Sequence, residues 1–594
     1  MIESAPLHVR WLGRVPYREA LAVQQALFEH GSSNHLLLLE HPHVFTHGPR
    51  SDLSINVLVE PAAVGAELVP VHRGGDVTYH GPGQVVGYPI LSLPPKRGGF
   101  GPPDSVAHVC NVEQLIIDTL AELGLTTAGR LAGYPGVWID AGGPAPRKIC
   151  AIGVRVSRGR SMHGFALNVE TDMRYLREYI IPCGIADRPV TSLREEGVDA
   201  SIADVVDIIA RLASQRWGSG LERQDVAWRE RPDDLSLFSR GHGAGAPIRS
   251  ALEHFGGASD PDTGRAVAAA PDSIRDAAQR ARAEPVRMLG RLAQAGVGAG
   301  LPVAERKPEW LRPKVHHGPE VLSLKRTVRD LGLITVCEEA GCPNLSECWS
   351  DGTATFMVLG ERCTRACGFC LVDTRKPEAP AADEPERVAE AVERMGLAHA
   401  VLTMVARDDL VDGGMAHVAA CVRAIRERTP ATLIETLVSD AKGDATSIDL
   451  LLAVRPDVFN HNVETVPRLQ RAVRPSAGYA RSLSALARAK AAGLMVKSGL
   501  VVGMGETAAE VDGVLGDLAS LGVDIVTIGQ YLRPTSHHLP VDRWIEPHEF
   551  DRWKSVGESY GIGHVESSPL TRSSYHAKQS AEAVATPVSL TTRA

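Results

Sequence analysis

Six of the ten cysteines in this chain lie within the 34 residues from Cys337 to Cys370. In a reducing compartment, thiols spaced this closely are more often metal ligands or catalysts than disulfides. The clustering therefore predicts that this part of the chain folds around a metal site. Three other cysteines, Cys110, Cys150 and Cys421, fit no ligand pattern, and we expect them to be buried packing residues.

The length and composition predict more than one globular domain. A chain of 594 residues is three to four times the usual domain size, and 44% hydrophobic with 23% charged residues is typical of folded proteins. A net charge of −8 gives no reason to expect nucleic acid or a membrane as partner. No apolar stretch approaches the roughly 18 residues that span a bilayer, and the start, MIESAPLHVRW, lacks a signal-peptide pattern. We expect a cytoplasmic protein.

The first part of the chain, residues 1–218, predicts a mixed α+β domain. Helical spacing of apolar residues alternates with short apolar runs of strand length. The predicted helices are Tyr17–His30, Ser105–Leu123 and Ser201–Ser214, and the predicted strands are His35–Glu40, Gln84–Ile90, Lys148–Val156 and His163–Val169.

Residues 219–299 have the composition of a linker, rich in Ala, Gly and Pro. The stretch 272–294 is Ala- and Arg-rich and is compatible with one helix, so a partly helical spacer and a coil are both open. From residue 300 to 594 strands and helices alternate, which predicts an α/β domain with parallel strands, a (βα) barrel or part of one. Function is then expected where the strands end. The polar residues at those ends are Arg407, Asp408, Glu435, Asn460, Asn462 and Glu464, and each is equally compatible with an ordinary loop position.

Two cysteine triads lie in this second half. CTRACGFC places Cys363, Cys367 and Cys370 in a C-x3-C-x2-C spacing that can hold three corners of a four-iron cluster and leave one iron open. A structural zinc ion would need a fourth protein ligand. Upstream, Cys337, Cys342 and Cys348 form a C-x4-C-x5-C set. Two triads with different spacings favour two clusters over one.

The first triad, with an aromatic residue before its last cysteine, resembles the signature of radical S-adenosylmethionine enzymes. Together with the second triad, RKPEWLR at 306–312 and RSSYHA at 572–577, it resembles lipoyl synthase over roughly residues 300 to 580. The resemblance implies sulfur insertion at C6 and C8 of a protein-bound octanoyl chain. It also implies two [4Fe-4S] clusters and S-adenosyl-L-methionine as cofactors.

The resemblance also assigns the ligands. The cluster on Cys363, Cys367 and Cys370 generates a 5′-deoxyadenosyl radical, whereas the cluster on Cys337, Cys342 and Cys348 is consumed as the sulfur source. Ser574 is the expected fourth ligand of the second cluster, with its neighbour Ser573 as the alternative. The polar strand ends and the GETAAE segment are expected to line the adenosylmethionine and substrate pocket. Another radical sulfur-inserting enzyme, of the biotin synthase kind, is the alternative, and the RSSYHA motif argues against it.

The first half contains a candidate nucleophile. Cys183 lies between a proline and a glycine, where a turn would present its thiol, and Lys148 opens a predicted strand. A thiolate is a competent nucleophile, and an adjacent ammonium favours the thiolate. The Gly-rich stretch RGGDVTYHGPGQ at 73–84 allows a close approach of the backbone to a ligand.

These segments resemble octanoyl-[acyl-carrier-protein]:protein octanoyltransferase over roughly residues 5 to 215, a family with the fold of biotin and lipoate protein ligases. The resemblance implies an acyl thioester on Cys183, activated by Lys148. It assigns acyl binding to Arg73, Gly74, Gly75, Asp76, Val77, Thr78, Tyr79, His80, Ala151, Ile152, Gly153, Gly164, Phe165 and Ala166. An ATP-dependent lipoate ligase, which needs no nucleophilic thiol, is the alternative. A third alternative is that one half of the chain is catalytically silent and binds carrier proteins.

The two resemblances together predict a bifunctional lipoylation enzyme. The partners they imply are octanoyl-acyl carrier protein, the lipoyl domains of 2-oxoacid dehydrogenases, the glycine cleavage H protein, and an electron donor such as ferredoxin or flavodoxin.

Overall fold

The computed structural model describes residues 5–96, 102–227, 291–293, 295–302, 305–312, 326–335 and 344–585. The chain divides into two compact units, Met1–Glu230 and Arg231–Ala594. Among the described residues, no helix combines the length and the apolar character needed to cross a membrane.

The N-terminal unit is built on an eight-stranded mixed sheet with the strand order β11-β1-β2-β6-β10-β9-β8-β7, and a smaller sheet with the order β4-β3-β5. Its strands are β1 (Leu7–Arg14), β2 (His35–Glu40), β3 (Val44–His47), β4 (Glu67–Pro70), β5 (Thr78–His80), β6 (Gln84–Ile90), β7 (Gly129–Leu131), β8 (Tyr134–Ile139), β9 (Arg147–Ser157), β10 (Arg160–Asn168) and β11 (Leu221–Asp225). Its helices are α1 (Tyr17–His30), α2 (Leu53–Asn56), α3 (Ser105–Glu122), α4 (Arg174–Arg177) and α5 (Ile202–Trp217). The predicted α+β class is confirmed.

Helices α3 and α5 cover one face of the large sheet. Asp104 caps α3 through the Ala107 N–H at 3.0 Å, and Ser201 and Asp204 form a capping box at the start of α5. The apolar sides of both helices pack on the strands and form the main core. Fully buried members of that core include Leu36, Val85, Leu115, Ile116, Leu167, Val205 and Ile209.

Two details differ from the sequence-based predictions. The N-terminal domain does not end at residue 218, because β11 pairs in parallel with β1, from Leu7 opposite Leu221 to Trp11 opposite Asp225. Its polar sequence, LERQD, gave no strand signal because an edge strand is only partly covered. Of the three cysteines expected to be buried, Cys150 and Cys421 are, but Cys110 is exposed.

The C-terminal unit contains seven parallel strands in sequential order, β12 to β18. The strands are β12 (Thr353–Val358), β13 (His399–Met404), β14 (Leu433–Leu437), β15 (Val458–Asn460), β16 (Met495–Val502), β17 (Ile525–Gln530) and β18 (His564–Ser567). The helices are α6 (Leu345–Ser350), α7 (Glu384–Met395), α8 (Met415–Arg428), α9 (Ala445–Leu452), α10 (Gln470–Val473), α11 (Tyr479–Ala491), α12 (Ala508–Ser520), α13 (Pro547–Ser559) and α14 (Ala577–Ala585). Within the described ranges no pairing joins β18 to β12, so the predicted partial barrel is confirmed.

A buried ion pair lies inside this sheet. Lys497 Nζ is 3.1 Å from Glu435 Oε2, and Asn460 Nδ2 donates to Glu435 Oε1 at 2.7 Å. Burial alone would raise the pKa of Glu435, but the Lys497 ammonium and the bonds from His399 and Asn460 lower it to about 2. The polar groups of Glu435 and Asn460 therefore form their bonds in the interior of the sheet.

Part of the predicted linker packs on the C-terminal unit. The Leu301 N–H donates to Val541 O at 2.6 Å, and the Arg468 guanidinium donates to Ala295 O. Ordered structure of this unit therefore includes residues before the predicted start at 300. The helix expected over 272–294 lies outside the described residues, apart from 291–293, which are helical.

Candidate active sites

The N-terminal unit contains a cleft of about 420 Å³ that is partly open to solvent. Most of the predicted acyl-binding residues line it, and Cys183 lies at its wall. The lining residues are Tyr17, Arg73, Gly74, Gly75, Thr78, His80, Tyr88, Ala151, Ile152, Gly153, His163, Gly164, Phe165, Ala166 and Cys183. The structure thus brings the segment around residue 75 to the paired strands β9 and β10, where Ile152 lies opposite Phe165.

Cys183 is held in a strained turn. The turn Pro182–Gly184 gives Cys183 a φ of 58° and a ψ of 19°, which is the left-handed region that non-glycine residues rarely adopt. The Cys183 N–H donates to Val77 O at 2.7 Å, and the side chain is partly exposed. Strain of this kind persists only where the surroundings enforce it, and it is concentrated at functional sites.

The loop at 73–77 holds this turn. The Arg73 guanidinium folds inward and donates to Thr46 O at 2.8 Å and to Asp76 O at 2.9 Å. The Asp76 carboxylate accepts from the Val77 N–H at 2.7 Å and from Asn56 Nδ2 at 2.9 Å. Asn56 O in turn accepts from the Ile181 N–H at 2.9 Å, two residues before Cys183. Asp76 therefore acts on the turn, not as part of the cleft wall.

Lys148 is buried near the start of β9. Its N–H donates to Pro189 O and its carbonyl accepts from the Thr191 N–H, both at 2.9 Å. The ammonium lies 5.3 Å from the centre of the Trp138 ring, a cation–π distance. Gly136, at φ +114°, makes room for the side chain, since a Cβ there would lie 2.8 Å from Lys148 Cε.

The structure does not bond Lys148 to Cys183. Burial raises the pKa of the Cys150 thiol, which follows Lys148 by two residues on β9. Among the hydrogen bonds of the described residues, none connects Lys148 with Cys183. Cys183 lines the cleft, and Lys148 is not among the lining residues.

Sequence reasoning missed three residues that line the cleft and included three that do not, namely Asp76, Val77 and Tyr79. Tyr17, Tyr88 and His163 reach the cleft from α1, β6 and β10. His163 stands out because its φ is +61° and its buried Nδ1 has no hydrogen-bond partner in the described part of the chain. Val77 and Tyr79, in contrast, are fully buried in a separate core cluster. The alternation of strand β5 turns their side chains away from the cleft.

The first cysteine triad lies on a tight loop after β12. The Cys363 N–H donates to Asp373 O at 2.7 Å, and the Cys370 N–H donates to Cys367 O at 3.2 Å. Burial and the neighbouring thiol of Cys367 together raise the pKa of the Cys363 thiol to about 11. Within the described part of the chain, no group of three thiol, imidazole or carboxylate side chains is arranged to hold a metal ion. The ligand role of this triad therefore rests on its C-x3-C-x2-C spacing, which is that of three protein corners of an iron–sulfur cluster.

Arg365 anchors this loop from within. Its guanidinium donates to both carboxylate oxygens of Asp408, at 2.8 and 2.9 Å, and to Asp440 Oδ1 at 2.6 Å. Asp408 follows β13 and Asp440 follows β14, so the ion pairs fix the loop against two strand ends. Burial alone would raise the pKa of Asp440, but the Arg365 guanidinium pulls it far below its usual range.

The second triad is described only at Cys348, because Cys337 and Cys342 lie outside the described residues. Cys348 is nine-tenths buried on α6. The C-terminal motif binds this helix from more than 220 residues away in sequence. Asn344 Nδ2 donates to Leu570 O at 2.8 Å, and Tyr575 Oη donates to the Glu347 carboxylate at 3.2 Å.

The two serines of the motif differ in their contacts. Ser573 Oγ accepts from Asn462 Nδ2 at 2.7 Å. The Ser574 hydroxyl has no hydrogen bond to any described residue. Of the two serines, Ser573 is therefore the one whose hydroxyl is already engaged by another side chain.

The comparisons with known proteins agree with this division. Residues 16–212 match the family model described as the lipoyl protein ligase A/B catalytic domain, and residues 357–518 match the radical SAM superfamily. A lipoyl synthase of Rubrobacter xylanophilus is 53% identical over 278 residues, which cover 46% of this chain and 87% of that protein. A lipoyl synthase of Mycobacterium tuberculosis is 51% identical over 273 residues, covering 46% and 88%.

Solved structures also align with each half. A bipartite lipoate protein ligase of Thermoplasma acidophilum, solved in work on an archaeal lipoylation system, aligns at 20% identity and a TM-score of 0.32, covering 38% of this chain and 88% of that one. A methylornithine synthase aligns at 14% identity and a TM-score of 0.29, covering 40% and 73%.

The contacts of Asp76 generate a prediction. Asp76→Ala removes two hydrogen bonds to a carboxylate, so we expect amide hydrogen exchange in residues 181–185 to become about tenfold faster. Asp104→Ala is the matched control, because the Asp104 carboxylate likewise accepts from a backbone N–H, that of Ala107 at 3.0 Å, at the start of α3. Peptide-resolved mass spectrometry measures both. Equal exchange in the two variants would show that Asp76 does not hold the Cys183 turn.

Proposed function

Because the chain belongs to the lipoyl synthase family and carries a lipoyl protein ligase A/B catalytic domain on its N-terminal side, we propose that it performs two consecutive steps of protein lipoylation. The N-terminal domain transfers an octanoyl group from acyl carrier protein to a lysine of a lipoyl domain. The C-terminal domain then inserts two sulfur atoms into that octanoyl chain. The proposed acceptors are the lipoyl domains of 2-oxoacid dehydrogenases and the glycine cleavage H protein.

The first step is a double displacement at a thioester. The Cys183 thiolate attacks the thioester carbonyl, a new carbon–sulfur bond forms, and the thiolate of the carrier leaves. The neutral amine of the acceptor lysine then attacks the Cys183 thioester, an amide forms, and Cys183 leaves as the thiolate. Lys148 is the proposed activator, since its ammonium favours the thiolate in a shared neighbourhood. The cleft residues hold the acyl chain.

The observation that carries this proposal is the strained Cys183 turn at the cleft. A buried structural cysteine has no need of a left-handed backbone between proline and glycine. Cys183 lines the cleft together with glycines that leave the backbone open to a ligand. A requirement for ATP together with full transfer by Cys183→Ala would instead support a ligase mechanism.

The second step uses the two cysteine triads. Cys363, Cys367 and Cys370 are the proposed ligands of one [4Fe-4S] cluster, and Cys337, Cys342, Cys348 and Ser574 those of another. When bound, the clusters and adenosylmethionine supply one-electron chemistry and the inserted sulfur, with ferredoxin or flavodoxin as reductant. The protein fixes the first triad through Arg365 and orients Cys348 through the C-terminal motif.

We predict that the two activities separate by mutation. Cys183→Ala removes the nucleophile, so octanoyl transfer stops while sulfur insertion into a pre-octanoylated lipoyl domain continues. Cys342→Ala removes a cluster ligand and has the opposite effect. Mass spectrometry of the lipoyl domain measures both products. Loss of sulfur insertion in Cys183→Ala, with its clusters intact, would mean that the two steps share a catalytic group.

We predict about eight irons per chain after anaerobic reconstitution, from two four-iron clusters. Replacing Cys363, Cys367 and Cys370 together by Ala should leave about four irons and abolish cleavage of adenosylmethionine. Iron analysis and chromatography of 5′-deoxyadenosine measure these quantities. Continued production of 5′-deoxyadenosine by the triple variant would place the radical cluster elsewhere.

A further inference from the structure

The segment from Ser568 to Ala577, which contains the RSSYHA motif, lies against the carboxyl ends of the central strands. We refer to it as the C-terminal segment. A Cβ at Gly529 of β17 would lie 2.0 Å from Thr571 O, so only glycine leaves room for the segment there. Gly499 of β16 makes room in the same way for Asn462, whose Oδ1 would lie 2.9 Å from a Cβ. The neighbouring strands β16 and β17 are thus shaped to receive these residues.

Asn462 is the side chain that joins the C-terminal segment to the strand ends. It follows β15 and is 7% exposed. Its Nδ2 donates to Ser573 Oγ at 2.7 Å and to Glu464 Oε1 at 3.1 Å. The Arg474 guanidinium holds the Asn462 backbone by donating to its carbonyl at 3.0 Å. The side-chain amide of Asn462 therefore bonds both to the C-terminal segment and to Glu464, and Arg474 holds the backbone that carries it.

The loop of the first cysteine triad is joined to the same region through the backbone. The N–H of Gly368, which lies between Cys367 and Cys370, donates to Val473 O at 2.8 Å. The next residue, Arg474, is the one that donates to the Asn462 carbonyl.

We propose that Asn462 is a positioning residue that docks the C-terminal segment and thereby sets the place of Ser574 at the sulfur-donating cluster. This inference rests on the proposed function, in which Ser574 is a ligand. A sulfur donor must lie within reach of the carbon radical, and small misplacements cost large factors in rate. Asn462 engages the Ser573 hydroxyl, so the docked segment leaves the hydroxyl of the adjacent Ser574 available as a ligand. The tie also fixes the segment relative to the loop of the first triad.

The test is a double-mutant cycle on the reconstituted full-length protein. Asn462→Ala and Ser573→Ala each remove the same hydrogen bond, so amide exchange of residues 570–577 should become about fivefold faster in either variant. The combined variant should show the same fivefold change, because the bond can be lost only once. Exchange about 25-fold faster in the combined variant, which is the product of two independent effects, would overturn the proposal. Unchanged exchange in either single variant would also overturn it.

Iron release supplies the second readout. In an excess of a ferrous chelator, four of the irons should be released from Asn462→Ala about fivefold faster than from the wild type. The other four should be released at the wild-type rate. Gly529→Ala should displace the segment and give the same pattern. Gly516→Ala is its control, because a Cβ there would meet only Tyr560 Cε2 at 3.8 Å. Uniform release of all irons in Asn462→Ala would contradict a role at one cluster.

Ser574→Ala separates the inference from the function on which it rests. Faster release of four irons in this variant supports the ligand assignment. If Ser574→Ala releases its irons at the wild-type rate, Ser574 is not a ligand. The docking role of Asn462 would still stand if amide exchange of the C-terminal segment is faster in Asn462→Ala and Ser573→Ala.

Discussion

Sequential parallel pairing is the constraint on which the C-terminal half depends. Because seven strands follow one another in the same direction, their carboxyl ends meet at one edge of the sheet. The first cysteine triad follows β12, the partners of Arg365 follow β13 and β14, and Asn462 follows β15. Residues as far apart in sequence as Asn462 and Ser573 are thereby placed within hydrogen-bonding distance of one another. The buried ion pair of Glu435 and Lys497 lies within the same sheet and leaves that edge to the chemistry.

The N-terminal half uses a different device, a network of backbone-directed hydrogen bonds around a cysteine turn. The polar groups of Arg73 and Asp76 form hydrogen bonds within the protein itself, and the glycines of the same loop leave space for a ligand. Lys148 is held by its backbone and by the Trp138 ring, at a distance from the cleft. In the proposed transfer, this separation leaves the cleft to the acyl chain and gives the lysine an electrostatic role.

Much of the architecture could be predicted from the sequence, because apolar periodicity reports burial. Helices α1 and α3 and the strands β2 and β6 were predicted within a few residues. The short or partly exposed strands β3, β7 and β11 were missed, since they carry little apolar pattern. The cysteine triads and Cys183 stand out by residue type alone. His163, Asn56 and the contact between Asn462 and Ser573 could not be found, because they depend on tertiary proximity.

The central claim is that one chain carries out both steps on the same acceptor. The most direct measurement is mass spectrometry of an unmodified lipoyl domain incubated with the reconstituted full-length protein, octanoyl-acyl carrier protein, adenosylmethionine and reductant. The account predicts an octanoyl adduct that appears first and is then converted to a lipoyl adduct. A lipoyl domain that stays unmodified, or an octanoyl adduct that is never converted although both clusters are intact, would contradict it.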